Sequence, residues 1–93
     1  MNHKIKVLAP RKNPHICYLG KEYAEKISCV KKACGMSLYS ILCTCAERQL
    51  DTTEKIHEFK KELKANGYKT IGEWAEETID TLYKEVKSHD NCG

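Results

Sequence analysis

The chain has 93 residues, of which 41% are hydrophobic and 31% charged, and a formal net charge of +3. This length supports one modest core, burying about two-thirds of the unfolded surface, and the composition is that of a folded protein rather than a disordered one. No stretch approaches the roughly 18 consecutive apolar residues of a membrane span.

Charge is unevenly placed along the chain. Residues 1–21 carry Lys4, Lys6, Arg11, Lys12 and Lys21 and no acidic side chain, which leaves eleven basic and thirteen acidic side chains for residues 22–93. A basic arm on a near-neutral body is an electrostatic footprint for a polyanion, most often nucleic acid. Within the arm, Lys4-Ile5-Lys6-Val7-Leu8 alternates polar and apolar residues at the period of a half-buried strand. His15-Ile16-Cys17-Tyr18-Leu19 is a second β-rich run, and Ala9 to Pro14 between them is a basic turn whose prolines suit no central strand. The two runs either pair as a hairpin with a basic tip, or one of them pairs with the same segment of a second chain. If Cys17 and Leu19 face the core, strict alternation turns Ile16 and Tyr18 outward.

From Gly20 onward the pattern is helical. A first helix is predicted over about 21–34, with Tyr23, Ile27, Val30 and Cys34 on its apolar face and Gly35 as its left-handed stop. Ser37 is a good N-cap for a second helix over about 38–50, striped by Leu38, Ile41, Leu42, Cys45, Ala46 and Leu50. Asp51 and Glu54 have capping-box spacing at the start of a third helix, which runs to about Ala65 with the thin stripe Ile56, Phe59 and Leu63. Thr70 and Glu73 cap the fourth and strongest helix, whose apolar face carries Ile71, Trp74, Ala75, Ile79, Leu82 and Val86. The tail from Ser88 is expected to fray. The expected organisation is thus a single domain: a basic arm (1–20), a helix-turn-helix (21–50), a second helix pair (51–87) and a polar tail (88–93).

Ile16 to Tyr23 and Gly35 to Leu42 resemble the strand, first helix, turn and second-helix start of the ribbon-helix-helix family of DNA-binding proteins, a likeness that extends over about residues 16–50. The resemblance implies a two-fold homodimer whose strands form an antiparallel ribbon in the major groove. It also implies a phosphate held at the second-helix start, Ser37, Leu38 and Tyr39. Elementary physics agrees that a helix N-terminus favours an anion and that a lone strand needs a partner. The second helix pair, Glu54 to Val86, and especially Asn66 to Trp74, also looks like the helical part of the same family. The alternative architecture is a winged helix-turn-helix with its β-hairpin at the N-terminus.

The six cysteines, Cys17, Cys29, Cys34, Cys43, Cys45 and Cys92, read as reduced thiols in a cytoplasmic protein, because long amphipathic helices need no staples and the start lacks the apolar run of a secretory signal. Their spacing fits no zinc site. No motif of an enzyme is present, and His57 is expected at the surface. The sequence therefore predicts a mostly α-helical, dimeric, cofactor-free protein that binds double-stranded DNA as a repressor or as an accessory factor of a plasmid or mobile element. DNA contacts are expected from Lys4, Lys6, Arg11, Lys12, His15, Tyr18, Lys21, Ser37, Leu38 and Tyr39, and the dimer or core contacts from Ile16, Leu38, Ile41, Leu42, Trp74 and Ile79. The rival reading is a protein–protein module, an inhibitor or adaptor that docks through the acidic C-terminal helix and binds no DNA.

Overall fold

The computed structural model describes residues 4–10 and 14–90, so Arg11, Lys12 and Cys92 lie outside the described residues. Two short strands, β1 (Ile5–Leu8) and β2 (His15–Leu19), pair antiparallel within one chain. A 3₁₀ turn at Lys21–Tyr23 leads into α1 (Ala24–Cys34), followed by α2 (Leu38–Ala46), α3 (Thr53–Ala65) and α4 (Ile71–Asp90). The expected architecture, mostly helical with a short N-terminal β element, is the one observed. No described helix is long and apolar enough to cross a membrane.

The strand register explains a departure from the sequence expectation. Ile5 faces Leu19, Lys6 faces Tyr18 and Val7 faces Cys17, but Leu8 faces His15, so Ile16 is an extra residue in β2. A bulge of this kind shifts the alternation of side chains by one. Ile16 is therefore buried together with Cys17 and Leu19, and His15 rather than Ile16 joins Tyr18 on the outer face.

The helix ends follow local chemistry. Gly35 (φ +65°) closes α1 in the left-handed region. The Ser37 side chain accepts the Ser40 N–H at the start of α2. α2 stops at Ala46 instead of reaching residue 50, because Glu47 turns left-handed (φ +58°) and sends the chain back so that Leu50 enters the core. With that shorter helix Cys43 is buried and Cys45 exposed, the reverse of the predicted stripe. Thr52, not Asp51, caps α3 by accepting the Lys55 N–H, while Asp51 pairs with the Lys55 ammonium at 3.0 Å. Thr70 caps α4 through the Glu73 N–H, and the helix continues past Ser88 to Asp90.

One core joins all these elements. The largest fully buried side chains, Leu19, Val30, Leu42, Leu50 and Ile79, come from β2, three helices and a loop. Ile41 and Ile79 are buried and Leu38 is half-buried against the same core. Trp74 is half-buried, edge-on to Phe59 with ring centroids 4.8 Å apart. The two helix pairs are not independent. α4 lies along α1 and against β2, where Gly72 meets the Tyr18 carbonyl and the Glu76 carboxylate accepts the Gly20 N–H at 2.8 Å.

Candidate nucleic-acid interface

The outer face of the hairpin is built by the register. Lys6 and Tyr18 lie directly across from each other, and the bulge places the His15 ring 4.3 Å from the Tyr18 ring. Lys4, Lys6, His15 and Tyr18 are all exposed, Tyr18 at 49% and Leu8 beside them at 39%. None of the ion pairs among the described residues uses Lys4, Lys6 or Lys60.

This face continues into a groove of about 430 Å³ between β2, α3 and the start of α4. Lys4, His15 and Tyr18 line it from the hairpin, and Thr53, His57 and Lys60 line it from α3. Steps of four and three residues put those three α3 side chains on one helix face. Thr70 and Gly72 close the far wall, and Ile16, Cys17, Ile56 and Ile71 form a buried floor. Among the described residues no acidic side chain lines the groove. A second depression, beside Pro14, is lined by Asp51, Glu54 and Glu58 together with one basic residue, Lys55.

The thiol in the groove floor is buried. Burial, with the Glu76 carboxylate adding to it, pushes Cys17 up to about 12. Reactive cysteines need the reverse, a depressed value near a cation. Among the described residues no cluster of three or more His, Cys, Asp or Glu could hold a metal ion.

The other expected contact residues lie elsewhere. Lys21 is exposed in the 3₁₀ turn and does not line the groove. Ser37 is exposed at the start of α2, and its hydroxyl also bonds to the Ser40 hydroxyl at 3.1 Å. Leu38 and Tyr39 are half-buried, and the Tyr39 hydroxyl donates to Gln49 Oε1 at 3.3 Å. Burial and the Cys43 side chain push that phenol up to about 12. The structure thus brings Lys4, Lys6, His15 and Tyr18 together and keeps the Ser37–Tyr39 segment out of the groove. Sequence reasoning missed Lys60, Thr53, Thr70 and Gly72 and left His57 without a role. The one available signal was the spacing of Thr53, His57 and Lys60 beside Ile56.

Comparison with protein-family models, with curated proteins and with solved structures returns no match. The site is therefore read from its own geometry.

Proposed function

We propose that the protein binds double-stranded DNA through the outer hairpin face and the rim of the adjoining groove. It acts as a cytoplasmic homodimer in the role of a repressor or a plasmid or mobile-element accessory factor. The observation that carries this reading is the convergence of Lys4 and Lys60, 56 positions apart in sequence, with His15 and His57 around a groove that no acidic side chain among the described residues lines. Lys6 extends the cationic surface along the hairpin, and the sequence between the two strands carries two further basic residues, Arg11 and Lys12, which lie outside the described residues. A hairpin closed within one chain supports a wing-like use of this face. A two-chain ribbon through β2 would have to displace either its pairing with β1 or the close approach of the Tyr18 carbonyl to Gly72 of α4.

Phosphate contacts release counterions, so affinity must fall with salt. If about four phosphates are neutralised per subunit, log K against log salt has a slope near −7 for a dimer. Each of Lys4, Lys6 and Lys60 replaced by Gln flattens that slope by about 2 per dimer. Fluorescence anisotropy with random duplex over a salt series measures this. Retention that ignores salt, or a triple variant that binds like the parent, defeats the proposal and leaves docking of a protein on α4 as the better account.

A further inference from the structure

The groove has features that a duplex does not use. A duplex backbone would use its cationic side chains, whereas the buried apolar lining of Ile16, Ile56 and Ile71 offers nothing to a phosphate. The geometry points to a binding site for one unpaired nucleotide. The base would lie over the floor against Tyr18, and its phosphate between the ammonium groups of Lys4 and Lys60. This inference rests on the nucleic-acid reading above and names the part of the ligand that enters the groove.

Four features fit that chemistry. A volume of about 430 Å³ falls within the range of small-ligand pockets, which pair an apolar lining with a few placed polar groups. The tilted His15–Tyr18 pair, at 47° between ring planes, gives a base an aromatic surface on the hairpin wall. Stacking on such surfaces is how proteins hold unpaired bases without reading their sequence. The rim is cationic on both sides, Lys4 from the hairpin and Lys60 from α3, so an anion is flanked rather than approached from one direction. The Thr53 and Thr70 hydroxyls stand on the same rim as hydrogen-bonding groups for a sugar or phosphate. The unpaired nucleotide comes either from a frayed or overhanging DNA strand or from a free nucleoside monophosphate, and both present the same base and phosphate.

The test titrates the full chain with labelled DNA of three kinds: a blunt duplex, the same duplex with a short overhang, and the single strand. Adenosine monophosphate serves as competitor. The overhang is expected to bind about tenfold more tightly than the blunt end, the scale of one stacked base. Adenosine monophosphate is expected to remove that advantage. Tyr18→Ala is expected to bring the ratio of overhang to blunt affinity to one, and so, independently, is the pair His57→Gln with Lys60→Gln, each ratio being taken within the same variant because Lys60 also serves the duplex. All three side chains are exposed, and a melting curve matching the parent's establishes that a variant is folded. Equal affinity for blunt and overhanging duplex overturns the nucleotide site and leaves the duplex reading standing. Binding of adenosine monophosphate or single strand without any duplex retention overturns the duplex reading and keeps the nucleotide site. No binding in any arm overturns both.

Discussion

Gly72 is buried at the point where α4 begins against the Tyr18 carbonyl of β2, and a methyl group built on it would run into that oxygen. The obstacle is backbone, so no side-chain rotation relieves it. Either the strand or the helix must shift, and overpacking of this kind costs about 1–3 kcal/mol. Gly72→Ala is therefore expected to lower stability by that amount in a urea titration, although alanine is the better helix former. Unchanged stability would mean that β2 and α4 are not in contact there. Gly35 is needed for another reason, because its φ of +65° is a conformation that L side chains rarely adopt, while the space around it is open. Ile16 shows a third residue-level effect. As the bulged residue of β2 it goes inward, and in doing so it gives the groove an apolar floor and sends His15 out to the rim.

Among the elements, α2 carries the clearest unrelieved strain. Glu47 closes it at φ +58°, a left-handed position with a β-carbon, where chirality costs about 1–2 kcal/mol. Glu47→Gly is expected to raise stability by about 1 kcal/mol, less than the full strain because glycine also loosens the unfolded chain. The measurement is a urea midpoint that moves upward at unchanged slope; a midpoint that falls would show the residue to be unstrained. The same helix marks the limit of what the sequence reveals. Caps at Ser37 and Thr70 and the stop at Gly35 were readable because each is a local hydrogen bond or backbone preference confined to a few residues. The early end of α2 was not, since no glycine marks it and its cause is the demand for Leu50 in the core. The bulge in β2 was equally hidden, because it exists only as a relation between two strands. In the hairpin half of the groove, Lys4 and Tyr18 were legible from charge and alternation, whereas His15 reaches the rim only through the bulge. The α3 half depended on where α3 came to rest.

At the scale of the molecule, a polar seam fastens the beginning of the helical region to its end. The Glu76 carboxylate takes the Gly20 N–H, and one turn further along α4 Asp80 accepts from Lys26 at 2.6 Å and from the Tyr23 hydroxyl at 3.3 Å. The Lys26 ammonium also lies 5.2 Å from the Tyr23 ring centroid and 5.6 Å from that of Tyr83. This seam, with the buried Ile27, Val30, Ala75 and Ile79 beneath it, holds α4 in place over β2 and so keeps Thr70 and Gly72 on the groove wall. The hydrogen bond from Lys26, with the charges of Lys26 and Lys84 and the Tyr23 hydroxyl contributing, outweighs desolvation and holds the Asp80 carboxyl below its ordinary value. A carboxylate depressed in the folded state stabilises the protein above its unfolded pKa and loses that effect as pH falls through the folded value. Asp80→Asn is therefore expected to melt at a lower temperature than the parent at neutral pH, with the gap constant down to about pH 5 and closing below about pH 4. Thermal melts across that range follow it by circular dichroism. Both side chains are about one-third exposed, so added salt should narrow the neutral-pH gap as well. A gap that persists unchanged into acid would assign the seam's effect to packing of the Tyr23 and Tyr83 rings rather than to the charge on Asp80.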